Sequence, residues 1–266
     1  MSDLGTRPRR RRSQRRKGHP AATLALGLAL TGCGGDDGEE AETELTVSAA
    51  SSLTEAFEVY GEETDAEEKF SFAGSDDLAA QIRQGAPVDV FAAANTSLPE
   101  ALFEEDLVEE PVTFISNQLV LAVPGDSDIV GIGGLVRSDA DLVIGAEGVP
   151  VGDYTREVLN RLPADAAATI EAQVRSEEPD VKSIIAKLTT GAADAGFVYA
   201  SDVDAAGGEL TAIDLPAVLQ PIVSYGVAVV PDSGNPQAAQ EFVDGLLEGP
   251  GRTALLDAEF LEPEDE

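Results

Sequence analysis

The chain of 266 residues has one histidine, one cysteine, one methionine and no tryptophan. The histidine is His19 and the cysteine is Cys33, so everything beyond residue 33 lacks both an imidazole and a thiol. That removes the histidine general base, any cysteine nucleophile other than Cys33 itself and a His/Cys metal cage from the bulk of the protein. A single cysteine cannot form a disulfide within its own chain. Positive charge is scarce as well: 17 Lys and Arg face 50 Asp and Glu, a net charge of −33. Residues 1–32 hold eight of those bases and one of those acids, which leaves nine bases against 49 acids, net −40, in residues 33–266. A body this acidic has no cationic patch for phosphates, so nucleic acid is excluded as a partner. With only Lys69, Lys182 and Lys187 as lysines, the body suits a high-salt medium, where the Debye length shrinks to about 3 Å. An acidic protein exported into ordinary medium carries the same signature. A hydrophobic share of 43% is ordinary for a folded protein with its own core.

Residues 1–32 read as an export signal: a polybasic stretch, then the apolar run AATLALGLAL (21–30), too short to span a bilayer alone. The following LTGC (30–33) resembles the lipobox of bacterial lipoproteins, and the sole cysteine falls where that pattern requires it. The resemblance implies cleavage before Cys33 and lipidation of its thiol. Residues 33–43, Gly-rich and acidic, read as a solvated tether, and 263–266 as an acidic tail.

Between them strand and helix signals alternate. Apolar strands are expected at 45–48, 69–73, 88–93, 118–123, 142–145, 195–199 and 222–230, and the last helices at 236–248 and 253–257. Strands spaced by helices give an α/β class with parallel sheets. Four strand-to-helix junctions, AASSL (49–53), GSDDL (74–78), VPVGDY (149–154) and PDVK (179–182), would lie at carboxyl ends of strands, where α/β proteins bind ligands. Free N–H groups and the helix dipole favour an anion there. Ser51, Ser52 and Ser75 fit two readings, as hydroxyl donors or as ordinary helix N-caps.

The first three of these junctions, with GAPVDVF (85–91), NQLVL (117–121) and GAADAGFVYASD (191–202), resemble the periplasmic molybdate-binding proteins of bacterial ABC transporters, in that family's order over about residues 44–260. The resemblance implies a two-lobed periplasmic-binding-protein fold of type II, two α/β lobes joined by two crossover strands. The candidates for the crossovers are 118–123 and 222–230, giving lobe one as 44–122 plus 224–262 and lobe two as 123–223. It further implies a tetrahedral oxyanion held by neutral donors: the hydroxyls and N–H groups of Ser52 and Ser75, the N–H groups of Val151 and Val181, and the Tyr199 hydroxyl. The metal would be held only as molybdate or tungstate, with no direct protein–metal ligand and no other cofactor. Ser51, Asp76 and Asp180 would stand behind these donors. Asp180 reads as an N-cap. Asp76 stands where the family has another small residue. It either complements the α-helix N-terminus or points into the cleft and changes the ligand.

The function so implied is an extracytoplasmic, lipid-anchored, monomeric receptor that delivers its anion to a membrane permease driven by an ATPase. The alternative is the same fold binding sulfate or phosphate. An enzyme is not expected: Ser183 and Lys187, four apart on one helix face, are the nearest approach to a catalytic pair, and a solvated polar stripe explains them as well.

Overall fold

The computed structural model describes residues 44–64 and 66–263. The export signal, Cys33 and the tether lie outside them, as do residues 264–266 of the tail.

The chain lays down β1 (Glu44–Ala50), β2 (Glu67–Ala73), β3 (Val90–Ala93) and β4 (Val112–Asn117), then β5 (Leu119–Pro124), β6 (Leu142–Gly145), β7 (Val174–Glu178), β8 (Ala195–Tyr199) and β9 (Leu210–Asp214), and finally β10 (Val223–Val229). They form two five-stranded sheets, ordered β2-β1-β3-β10-β4 and β7-β6-β8-β5-β9. The two orders correspond position by position. In each sheet three parallel strands lie together, and the antiparallel strand beside them (β10 or β5) is the first one made after the chain changes sheet. The parallel strands are connected through helices, as right-handed crossovers require. These are α1 (Thr54–Gly61), α2 (Ser75–Arg83), α5 (Pro150–Asn160), α6 (Ala164–Gln173) and α7 (Val181–Thr189). The remaining helices are α3 (Ser97–Glu104), α4 (Gly131–Arg137), α8 (Ala200–Ala205), α9 (Pro236–Glu248) and α10 (Pro250–Asp257).

The chain passes from the first sheet to the second at residues 117–119 and returns over 215–222. The expected crossovers, 118–123 and 222–230, are therefore both corrected: the first run is β5, wholly within the second sheet, where it pairs with β8 and β9, and the second is β10, wholly within the first sheet, where it pairs with β3 and β4. A continuous apolar run has the same sequence pattern whether it bridges lobes or sits deep in one sheet. Lobe one thus ends at 117 and resumes at 223. Its core is aromatic, with Phe57 against Phe70, Phe114 and Phe242. The core of lobe two is mainly aliphatic, around Leu119, Leu121, Leu142, Val143 and Ile184.

Candidate functional site

The carboxyl ends of β1, β2, β6, β7 and β8 converge on one pocket between the lobes. Its lining includes Ser51, Ser52 and Ser75 from lobe one and Val151, Asp180, Val181 and Tyr199 from lobe two. All five expected donor residues are brought together there, along with two of the three expected behind them. The cavity is small, about 10 Å³, room for the centre of one small species. The lobes are closed around it. Gly74 is packed so tightly against lobe two that a methyl group on it would sit 2.3 Å from the Pro179 carbonyl oxygen.

Each donor is placed by a local reason. After β1 the chain turns through a single 3-10 turn, Ser51–Leu53, where the small residues allow the close approach. Ser52 Oγ lies 2.9 Å from the Tyr225 hydroxyl. Ser75 opens α2 directly after Gly74, and its Oγ accepts the Ala94 N–H at 3.0 Å. No serine hydroxyl caps these helix starts, so the N-cap reading of Ser51, Ser52 and Ser75 is corrected. For Ser52 and Ser75, tertiary partners have taken up the oxygen that a cap would use. Asp180 does cap: its Oδ1 accepts the Ser183 N–H at 2.8 Å.

The backbone contributes the rest. The first N–H of α2 bound to a carbonyl is that of Leu78, on Gly74, and in α5 it is that of Asp153, on Val149. The N–H groups of Ser75 and Val151 come earlier, and that of Val181 precedes the capped Ser183, so none of them has an intrahelical carbonyl to bind. Three helix N-termini therefore point unused donors at one cavity. Pro150 at the first position of α5 suits this start, since its missing N–H would have had no helical partner. Tyr199 is buried, and its hydroxyl has no hydrogen-bond partner among the described residues. Burial pushes the phenol well above its ordinary pKa, so it stays a proton donor.

No Lys or Arg lines the cavity. Asp76 does not line it either. Its side chain folds back over Gly74, with Oδ1 buried and unpartnered. Burial raises its pKa against the pull of the Asp76 and Asp77 N–H groups. Asp76 therefore does not face the cleft: it sits in the first turn of α2 beside the N–H groups of Asp76 and Asp77, as expected of a residue that complements the helix N-terminus. Lys187 pairs with Glu178 and Ser176, on the strand beside α7, rather than with Ser183.

The sequence reading missed what holds the lobes together behind the pocket. Lys182 Nζ on lobe two reaches both oxygens of Glu55 on lobe one at 2.7 Å and lies 3.2 Å from Asp202 Oδ1. Burial pushes fully enclosed Asp202 up to about 6, with Lys182 pulling the other way. Asn117, at the first crossing, donates to Ser201 Oγ at 2.8 Å. The Tyr199 and Tyr225 rings meet edge to face across the lobes, centroids 5.9 Å apart. The only signal for Tyr225 was a lone tyrosine in an apolar run.

Residues 45–260 match the family described as bacterial extracellular solute-binding protein. The molybdate-binding protein ModA of Mycobacterium tuberculosis is 32% identical over 227 residues, covering 82% of this chain and 85% of that protein. The solved substrate-binding domain of a putative molybdenum ABC transporter from Clostridium difficile is similar at a TM-score of 0.64 and 29% identity, over 84% of this chain and 100% of that one. The sulfate-binding protein SubI of Mycobacterium tuberculosis shares the fold alone, with a TM-score of 0.73 at 14% identity over 82% of this chain and 86% of that one. The two corresponding lobes are those of a type II periplasmic-binding fold, and the chain belongs to the bacterial extracellular solute-binding protein family, as a binding protein and not an enzyme.

Proposed function

We propose that this protein is the receptor of a bacterial ABC transporter for molybdate, and for tungstate, which has nearly the same size and charge. One observation carries the reading: neutral donors from both lobes, and no cation, converge on one small cavity. Ser52, Ser75, Val151, Val181 and Tyr199 would hold the oxyanion through hydroxyls and N–H groups. Directed dipoles in a site closed to water stabilise an anion without a counter-charge. A cation-free site also fits the net −40 body, which gains no local attraction for a dianion and depends on short-range donors instead. The relatives named molybdate-binding support the choice of anion. Phosphate, protonated near neutral pH, would gain from a carboxylate acceptor. Asp76 lies outside the lining, and Asp180, which lines it, spends Oδ1 on the Ser183 N–H.

Closing on the anion would present both lobes to a membrane permease whose ATPase drives import. The closed state is selected because only there do both lobes donate. Lipid on Cys33 would hold the monomeric receptor at the outer face of the membrane. Labelling with a fatty-acid analogue should mark the wild type and spare Cys33→Ser, and an unlabelled wild type would remove the anchor.

Titration calorimetry of residues 34–266 with molybdate, tungstate, sulfate and phosphate tests the ligand. One-to-one binding of the first two, with sulfate far weaker, is expected at both low and molar NaCl. Folded protein silent toward molybdate and tungstate would end this reading.

A further inference from the structure

The five donors do not account for Tyr225, which is fully buried on the strand that returns from lobe two. Resting on the oxyanion reading above, we propose that Tyr225 is a positioning residue of the site: its hydroxyl donates to Ser52 Oγ and thereby turns the Ser52 proton into the cavity.

The contact itself, 2.9 Å between two hydroxyls, allows either to donate. The ligand selects one direction. If Ser52 gives its own proton to the anion, its oxygen must accept from Tyr225, and Ser52 Oγ is the one hydrogen-bond partner within reach of the Tyr225 hydroxyl among the described residues. With one lone pair of Ser52 filled in this way, its proton is free for the anion. Were the direction reversed, Ser52 would spend its proton on Tyr225 and show a lone pair to a negative ligand, which is repulsive. Burial keeps the Tyr225 phenol protonated, its pKa raised well above the ordinary value.

Two features show that the hydroxyl is deliberately placed. The pairing of β10 with β4 shifts register between Tyr225 and Gly226, and such a bulge re-aims a side chain. The ring is then held edge to face by Phe114, Phe260 and Tyr199, with centroids 6.3, 5.6 and 5.9 Å away. Tyr199 brings the hydroxyl donor of lobe two, so a single ring orients a donor from each lobe.

Molybdate titrations of wild type, Tyr225→Phe, Ser52→Ala and the double variant test this, with thermal unfolding as a check on the fold. Phe keeps every ring contact and removes only the oxygen. Each single variant is expected to bind about tenfold more weakly. The double variant is expected to bind about as weakly as Ser52→Ala alone, because the two hydroxyls act as one unit. Wild-type affinity in Tyr225→Phe, with or without a lower melting temperature, would reduce Tyr225 to packing and overturn the proposal. So would losses that multiply to about a hundredfold, the mark of independent groups. Wild type that ignores molybdate would instead bring down the proposed function, and this inference with it.

Discussion

The two lobes present the same topology to the cavity and prepare it differently. Lobe one offers hydroxyls that already have partners: Ser52 on Tyr225 and Ser75 on the Ala94 N–H. Lobe two offers groups with none, the leading N–H groups of α5 and α7 and the orphaned Tyr199 hydroxyl. A donor held by a neighbour is oriented before the ligand arrives. A buried donor without one costs free energy until a ligand satisfies it. Lobe one therefore reads as a preset half-site, and lobe two as the half that becomes stable by closing over the anion. The difference teaches where selectivity resides: in the completeness of the donor set at closure, not in charge.

Substitutions can break this comparison. The largest effect is expected at the seam. Gly74 has ordinary helix-entry angles (φ −60°, ψ 136°), so alanine adds no backbone strain within lobe one, where its methyl group meets only the Asp76 carboxylate at 2.8 Å, a side-chain end that can move aside. Its methyl group would press on the Pro179 carbonyl of lobe two. Gly74→Ala should cost about 3 kcal/mol of molybdate affinity by blocking closure, while unfolding of the free protein changes little. Undiminished affinity in calorimetry would mean that the lobes need not meet there.

Next comes a lobe-two donor. Val181 is the first residue of α7 and follows Asp180, which is extended (φ −159°, ψ 167°). Proline is tolerated at that position and after such a residue. Val181→Pro therefore deletes an N–H and keeps the helix, and should weaken binding by about 2 kcal/mol. Val181→Ala, which keeps the N–H, should bind within about 0.5 kcal/mol of wild type, since the backbone supplies the donor. Equal losses in the two variants would show that the side chain, not the N–H, matters.

A lobe-one donor should count for less than a lobe-two N–H. Ser75→Ala is expected to lose about 1 kcal/mol, because the helix N–H groups remain. A loss as large as that of Val181→Pro would erase the contrast between the lobes. The smallest effect is expected at the Glu55–Lys182 tie, which is half exposed. Glu55→Gln should weaken binding by less than about 1 kcal/mol at low salt and by nothing measurable in molar NaCl. If long-range charge governed affinity, removing this carboxylate would tighten binding instead.

The sequence showed the interior of the fold better than its margins. Strands β6 and β8 lie where their apolar runs end, at 142–145 and 195–199. The strands left unread, β4, β7 and β9, are all sheet edges. In β7 (VRSEE) and β9 (LTAID) most residues are exposed or only partly buried, so no apolar run marks them, and in β4 (VTFISN) the buried stretch mixes Phe114 and Ile115 with Ser116 and Asn117. The same logic applies at the site. The donor residues stand in local motifs, strand end followed by small residues and a helix start, which a sequence displays directly. Tyr225, Asn117 and the Glu55–Lys182 tie connect positions 173, 84 and 127 residues away in the chain. Only folding reveals such pairs. Asp76 was legible as an anomaly, but the sequence does not display the turn of its carboxylate back over Gly74.

The most direct test of the account is a crystal structure of residues 34–266 grown with molybdate, the metal located by its anomalous scattering. The account predicts one ion between the lobes, with its oxygens within about 3 Å of Ser52 and Ser75 Oγ, the Val151 and Val181 N–H groups and the Tyr199 hydroxyl. An ion held by lysine or arginine, or seated on one lobe with the Tyr199 hydroxyl still unpartnered, would contradict it.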